Sequence, residues 1–227
     1  MKYEILGSSF ASYLKITLNI GETIYAVPGS FVFLDGEADI EATGQGLFNA
    51  IKRKVAGGQS FFFVKYTAKK DNTTLILAPD SHGMITPIYV KAIPVIIQDK
   101  CYLAHTSGLK ISTTFVGARG LLTQSGFMWL KAEPDMGGEG IVFVSSAGEI
   151  EKIAIEDNEV KIDPKHIVCY SAYLDVGLAK FGGVSSFLFG KEGLIFSVKG
   201  KGSLWIQTRY HLDFERYLDE IKNKKGG

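Results

Sequence analysis

Hydrophobic and polar residues alternate along the chain in short runs. The first clear run comprises Leu14, Ile16, Leu18 and Ile20, each separated from the next by a polar residue. A period of two places successive side chains on opposite faces of a strand, so this run predicts a half-buried β-strand. Similar runs, bounded by turns that contain glycine, continue to about residue 209 and predict an all-β protein.

One bulky, apolar pattern occurs three times along the chain. Each copy is an aromatic run followed by a turn and a second apolar run, and each is predicted to form a hairpin. The three copies are residues 60–66 with 75–78, residues 125–130 with 141–144, and residues 193–198 with 204–206.

These copies define three internal units, which start near Ile24, Tyr102 and Ile167. Internal repetition favours a pseudo-threefold β-barrel or prism related to the double-stranded β-helix, in which each unit buries the apolar face of the others. No low-complexity linker divides the chain. Residues 1–209 are therefore predicted to form a single all-β domain.

Two segments depart from the β pattern. Residues 43–56 have helical spacing, with apolar residues on one side and basic residues on the other. One interpretation is a short surface helix that covers one end of a sheet, and the other is an oligomer contact or a basic docking patch. A second helix is predicted within the tail, residues 210–227. The candidate interaction surface in the first segment consists of Leu47, Phe48, Ile51, Lys52, Arg53 and Lys54.

Composition narrows the class of protein. The chain has 227 residues, 46% hydrophobic and 22% charged, with a net charge of +1. This balance is typical of a soluble globular protein and gives no global electrostatic footprint for nucleic acid. The chain shows no signal-peptide pattern and no apolar run of membrane-spanning length, and it has two cysteines, so we expect a cytoplasmic location.

Candidate chemistry is sparse. The four histidines are isolated from one another, without the spacing of a metal site, and no nucleophile elbow or phosphate-binding loop is present. Cys101 and Cys169 lie in apolar runs and are predicted to be buried thiols. The acidic residues at 35, 37, 39 and 41 predict a solvated strand face, with calcium ligation as a weaker alternative. We therefore predict no catalytic residues, no metal and no cofactor.

Two aromatic runs also carry basic residues, at 63–66 (FVKY) and 205–210 (WIQTRY). Aromatic side chains beside lysine or arginine on a sheet can stack nucleic-acid bases. The same residue types are the usual filling of a β core, and this second interpretation is favoured.

Several motifs, in their order and spacing, resemble the altered-inheritance-of-mitochondria 24 family. They are residues 21–26 (GETIYA), 28–32 (PGSFV), 58–62 (GQSFF), 77–79 (LAP) with 82–83 (HG), and 103–104 (LA). The resemblance extends from about residue 3 to 210. It implies an all-β fold related to the tryptophan RNA-binding attenuator superfamily and assembly into homo-oligomers, with trimers expected. Eukaryotic members resemble factors that organise the mitochondrial inner membrane, and no catalytic residues are defined for the family.

The leading functional hypothesis is a non-enzymatic scaffold or interaction protein that self-associates. A module that binds RNA or a small ligand is the second hypothesis, and a cryptic metal-dependent or hydrolytic enzyme is the third. The expected partner is a second copy of the chain, with a peripheral membrane or another protein as the alternative. The residues give no clear indication of a nucleic-acid partner.

Overall fold

A computed structural model describes residues 1–43, 62–114, 128–179 and 195–210 of the chain. These residues form nineteen β-strands, and their helical elements are the short 3-10 turns Asp99–Cys101 and Pro164–His166. The strands are β1 (Lys2–Ser8), β2 (Ala11–Leu18), β3 (Thr23–Ala26), β4 (Phe31–Asp35), β5 (Ala38–Thr43), β6 (Phe63–Ala68), β7 (Thr73–Leu77), β8 (Ile85–Val90), β9 (Val95–Gln98), β10 (Tyr102–Thr106), β11 (Leu109–Thr114), β12 (Trp129–Pro134), β13 (Gly140–Ser145), β14 (Ala147–Glu156), β15 (Val160–Ile162), β16 (Ile167–Ser171), β17 (Asp175–Leu178), β18 (Phe196–Lys199) and β19 (Lys201–Arg209).

The strands form four sheets. The first sheet has the order β1-β2-β7-β4, and the second has the order β5-β6-β3-β10-β13-β8. The third sheet has the order β11-β12-β9-β16-β19-β14, and the fourth has the order β15-β18-β17. The second and third sheets therefore share one connectivity, displaced by six strands along the chain. The all-β class is confirmed, and the sheets of the described residues stay open rather than closing into a barrel.

Three apolar cores lie between these sheets. The first core packs the first sheet, through Leu14 and Leu75, against the β3–β6 half of the second sheet. The second core packs the other half of the second sheet, including Val142, against strands β9, β11 and β12 of the third sheet. The third core packs the remaining half of the third sheet, including Leu204, against the fourth sheet through Phe196. The four sheets thus form a row of three sandwiches.

Strands at equivalent positions share a local irregularity. In β10 the register shifts between Tyr102 and Ala104, and in β16 it shifts between Ile167 and Cys169. In β4 the register shifts in the same way after its first residue, Phe31. Strands β4, β10 and β16 therefore correspond, as do β3, β9 and β15. Of the predicted unit starts, Tyr102 begins β10 and Ile167 begins β16, whereas Ile24 lies in β3, and the three units themselves stay a prediction.

The three predicted hairpins are wrong. β6 pairs with β5 and β3, whereas β7 pairs with β2 and β4 in another sheet. The strands β12 and β13, and likewise β18 and β19, also belong to different sheets. Tyr66 of β6 and Leu75 of β7 meet across the first core instead of hydrogen bonding side by side. The hydrophobic pattern indicates which face of a strand is buried, but it does not indicate which strand supplies the hydrogen bonds.

The two segments predicted to be helical lie almost entirely outside the described residues. Thr43 ends β5, and residues 44–56 of the first segment lie outside the described ranges. Tyr210 is described and buried, and the rest of the tail also lies outside them. Both helices therefore stay predictions, as does the threefold repeat. None of the helical elements in the described ranges is long and apolar enough to cross a membrane.

Candidate interaction surface

An exposed apolar patch lies along β4 and the adjoining outward side of the first sheet, and we call it the β4 surface. It consists of Phe31, Val32 and Phe33 on β4, Tyr13 on β2 and Ile76 on β7. Phe33 lies opposite Ile76, whereas Phe31 lies opposite the buried Leu77 and stacks on Tyr66 at the border of the first core. The three β4 side chains are 47%, 55% and 48% exposed, respectively. Tyr13, Val32 and Ile76 also line an open groove of about 440 Å³. Large exposed apolar side chains that lie close together are typical of a contact surface.

The exposure of β4 accompanies its position at the edge of the first sheet. Among the described strands, β4 pairs with β7 alone, so its other edge has no partner strand within the described ranges. The corresponding strands are paired on both edges, since β10 lies between β3 and β13, and β16 lies between β9 and β19. An exposed apolar edge strand is a template for pairing with another chain.

The corresponding positions in β10 and β16, which have a paired strand on each side, have buried side chains. Leu103 and Val168, at the position of Val32, are both 0% exposed. Ala104 and Cys169, at the position of Phe33, are also fully buried. The side chains of β4 are as apolar as their counterparts, so the difference lies in what covers them.

Charged residues follow β4 along the chain, in residues 37–41 of the second sheet and the turn before it. Glu37, Asp39 and Glu41 are exposed, and each is paired with a lysine. The pairs are Lys70 with Glu37, Lys69 with Asp39 at 2.6 Å, and Lys65 with Glu41 at 3.3 Å. The hydrogen bond from Lys69 to Asp39 raises the pKa of the lysine. Exposed pairs of this kind contribute little to stability, so these residues form a solvated strand face.

The same carboxylates do not gather as a cation site. The described residues contain no group of three or more His, Cys, Asp or Glu side chains arranged to hold a metal ion. The weaker alternative of calcium ligation on this strand therefore receives no support from the geometry.

His105 belongs to a buried aromatic cluster rather than to a metal or catalytic site. Its Nδ1 lies 2.5 Å from the Tyr102 hydroxyl, and its ring stacks on Tyr25 at 4.8 Å between centroids. Phe63 meets the imidazole edge to face at 5.1 Å. Burial lowers the pKa of His105 to about 3 and raises the pKa of Tyr102, so both groups are neutral at physiological pH.

The remaining histidines and the two cysteines also have structural contacts where they are described. His166 Nδ1 lies 2.8 Å from the carbonyl oxygen of Gln207, and His82 contacts the exposed ring of Phe10. His211, the fourth histidine, lies outside the described residues. The prediction of two buried thiols is confirmed, because Cys101 and Cys169 are free and buried. Burial raises the pKa of both thiols, which leaves them protonated and weakly nucleophilic.

The two aromatic–basic runs have different environments. In the first, Tyr66 is buried in the first core and Lys65 pairs with Glu41, so the run serves packing. In the second, Trp205 is half-buried and Lys152 lies over its ring at 5.3 Å. Both of these residues line a groove of about 510 Å³ between the second and third sheets.

The surface predicted from the sequence and the surface found in the structure differ. The six predicted residues, from Leu47 to Lys54, lie outside the described residues, so that surface stays a prediction. The β4 surface was not predicted as a site, because residues 31–34 indicate only a strand. The available signal was the run FVFL, which has no alternation and is therefore typical of a strand covered on both faces.

The chain belongs to the Mitochondrial biogenesis AIM24 family, whose model matches residues 3–209. It is 26% identical over 231 residues to an uncharacterised protein of Streptococcus pyogenes serotype M6, covering 98% of this chain and 90% of that protein. It is 25% identical over 173 residues to altered inheritance of mitochondria protein 24 of Verticillium alfalfae, covering 75% of this chain and 43% of the fungal protein. A crystal structure of a Streptococcus pyogenes protein has the same fold, with a TM-score of 0.77 and 22% identity over 97% of this chain and 99% of that one.

Proposed function

We propose that the protein is a non-enzymatic scaffold or interaction protein that self-associates, and that the β4 surface is its principal contact. The observation that carries this proposal is the exposure of Phe31, Val32 and Phe33 on an edge strand whose counterparts are buried. The family resemblance to organising factors and the expected homo-oligomers point in the same direction. A trimer is the proposed assembly.

Apolar burial supplies part of the energy for this contact. Three side chains that are about half exposed offer on the order of 100 Å² each, and burying them contributes roughly 6–8 kcal/mol at about 25 cal/mol per Å². Association costs on the order of 4–15 kcal/mol in lost freedom of motion. These side chains alone therefore do not give a stable oligomer, so backbone pairing along β4 and burial of Tyr13 and Ile76 must add to the contact.

Light scattering coupled to size-exclusion chromatography tests the proposal across a dilution series. The expected mass is about three times the 24.8 kDa of the chain, falling as the protein is diluted. Phe33→Lys places a charge in the contact and is expected to shift the population to monomer. Ile20→Lys is the matched control, because Ile20 is 65% exposed and lies outside β4. A monomer at every concentration for the unaltered protein would contradict self-association.

The segment carrying Leu47, Phe48, Ile51, Lys52, Arg53 and Lys54 is proposed as a second contact, with another copy, another protein or a peripheral membrane. Ile51→Asp tests it beside Phe33→Lys in the same light-scattering series, and Lys52→Glu tests its basic side. A change of mass with Ile51→Asp would assign this segment to self-association. An unchanged mass combined with lost binding to anionic vesicles would assign it to the membrane.

A module that binds RNA or a small ligand is the second candidate function. The groove beneath Lys152 supports it, because a half-buried indole with a lysine above it is suited to stack a planar ring. Titration of single-stranded RNA at low salt, followed by tryptophan fluorescence, should then show binding that weakens as salt rises. Trp205→Phe should reduce the fluorescence response, and no binding at low salt would contradict this candidate.

The enzyme alternative has no specific support from the described residues. Elemental analysis of the purified protein tests its metal-dependent form. A cytoplasmic location also stays a proposal, for which fractionation of cells that express the tagged chain is the test.

A further inference from the structure

We infer that the open edge of β4 pairs with the open edge of β15 from a second copy of the chain, so that the first sheet of one copy continues into the fourth sheet of the next. This inference rests on the proposed self-association and names the strand that completes it. β15 is the appropriate partner because, among the described strands, it pairs with β18 alone and lies at the edge of its sheet.

Two strand pairings inside the chain, which we call junctions, show the geometry expected for the pairing of β4 with β15. β10 pairs antiparallel with β3, and Ala104 lies opposite Ala26. β16 pairs antiparallel with β9, and Cys169 lies opposite Ile97. In each junction, a strand of the β4 type meets a strand of the β15 type and joins two sandwiches into one continuous six-stranded sheet. The third pairing of this kind, β4 with β15, is the one that the single chain does not form.

The equivalences also fix the register of the proposed pairing. Phe33 corresponds to Ala104 and Cys169, since each follows the same register shift. Ile162 corresponds to Ile97, because each lies fourteen residues after one member of the bridged glycine pair Gly148 and Gly83. Phe33 should therefore lie opposite Ile162.

Continuing this antiparallel register places Leu34 opposite Lys161 and Asp35 opposite Val160. The equivalent pairs in the third sheet are Tyr170 with Ile96 and Ser171 with Val95. A slip by one residue would turn the apolar side chains of β15 to the wrong face, so the register is a specific prediction.

The packing around the internal junctions supports the same contact. Phe143 and Trp205 occupy the position of Ile76, and each is covered by the preceding sandwich: Phe143 lies in the first core and Trp205 packs on the second. Ile76 belongs to the first sandwich of the chain and has no preceding sandwich within it. The third sandwich of a second copy would cover Ile76 and the rest of the β4 surface.

The two internal junctions also share a contact between two aromatic rings, one on a paired strand and one on a neighbouring strand. Phe63 meets His105 edge to face at 5.1 Å in the first junction, and Trp129 meets Tyr170 in the same way at 5.8 Å in the second. The corresponding pair in the proposed junction is Ile195 with Leu34, both of which are only partly buried. Each internal junction thus brings together two ring side chains that flank the paired strands, and the proposed junction would bring together two aliphatic ones.

The partner is a second copy rather than the same chain. The three cores connect the four sheets in sequence, with the first sheet at one end and the fourth sheet at the other. β4 lies in the first sheet and β15 in the fourth, and these two strands do not pair with each other within the chain. Pairing different surfaces of successive copies is a head-to-tail interface, which closes into a ring when the rotation permits and otherwise grows as a filament. A trimer would be such a ring.

Disulfide trapping tests the inference. Asp35→Cys and Val160→Cys are made separately and co-expressed, in a chain whose own thiols are buried. Oxidation is expected to give a covalent dimer from the co-expressed pair and no cross-link from either variant alone. The double variant D35C/V160C should give a ladder of larger covalent species. Asp35→Cys with Lys161→Cys is the register control and should cross-link at least tenfold less, since adjacent residues point to opposite faces.

Three possible results distinguish failure of the β4–β15 pairing from failure of self-association itself. A cross-link within one chain of D35C/V160C would overturn the inference, because β15 would then pair with its own β4. No cross-link, in a protein that light scattering shows to be oligomeric, would also overturn it and would leave the proposed self-association through another surface. A protein that is monomeric before oxidation would contradict both. Light scattering of each variant under reducing conditions confirms that the substitutions leave the assembly intact.

Discussion

Replacing His105 by glutamine should remove part of the acid sensitivity of the fold. His105 is buried between Tyr25, Tyr102 and Phe63, and burial lowers its pKa to about 3. In the unfolded chain the imidazole has a pKa of about 6.5. The unfolded state therefore binds a proton as the pH falls below about 6.5, while the folded state does so only near pH 3.

The sign and size of the effect follow from this difference. Stability is lost as the pH falls from about 6.5 toward about 3, since protons favour the unfolded state in that window. The loss between about pH 7.5 and about pH 5 is roughly 2 kcal/mol, and the full loss is on the order of 5 kcal/mol. Glutamine keeps a polar partner for the Tyr102 hydroxyl but does not titrate.

Urea unfolding at these two pH values, for both proteins at one concentration, measures the effect. The free energy of unfolding should fall by about 2 kcal/mol more in the unaltered protein than in His105→Gln. Other titrating groups are common to both proteins and cancel in the comparison. Equal losses in the two proteins would refute the argument that His105 stays neutral in the folded state.

The remaining predictions concern packing and thiol reactivity. Gly83→Ala should lower the free energy of unfolding by at least about 2 kcal/mol, because an added Cβ would lie 2.1 Å from the carbonyl oxygen of Ser146. The control Gly177→Ala, with no atom within 4 Å of its Cβ, should change the free energy of unfolding by less than about 1 kcal/mol. Similar urea midpoints for the two variants would contradict this prediction. Cys101 and Cys169 should resist a thiol reagent in the folded protein and react fully in denaturant, and rapid labelling without denaturant would contradict their burial.

The sequence was sufficient for the class of fold and for much of the burial pattern. Leu14, Ile16 and Leu18 alternate along the chain and are fully buried in β2, as the period of two predicts. Ile20, which continues the pattern, lies beyond the strand and is exposed. Alternation specifies the faces of a strand, but the point at which a strand ends depends on its neighbours.

Strand partners could not be predicted in the same way. Residues 60–66 and 75–78 are predicted to form a hairpin because they follow each other in sequence and are similarly apolar. Their described strands, β6 and β7, lie in different sheets on opposite sides of the first core. An apolar strand gains as much from facing another across a core as from lying beside it, so composition does not distinguish the two arrangements. The dipeptide Asp35-Gly36 is typical of a hairpin turn, yet it carries the chain from β4 in the first sheet to β5 in the second.

The candidate surface was missed for a related reason. Phe31, Val32 and Phe33 have the composition of a buried strand, and only the position of β4 at a sheet edge leaves them exposed. Exposure of this kind depends on which strands are adjacent in space, which the hydrophobic pattern does not encode.

Amide hydrogen exchange at two protein concentrations tests the central claim most directly. In the proposed assembly, backbone groups along the open edges of β4 and β15 form hydrogen bonds between copies. Exchange in residues 31–35 and 160–162 should therefore slow at least tenfold at high concentration relative to a dilute sample, while the segment around Ile20 exchanges equally in both. Concentration-dependent protection confined to other segments, or protection of neither strand, would contradict the account.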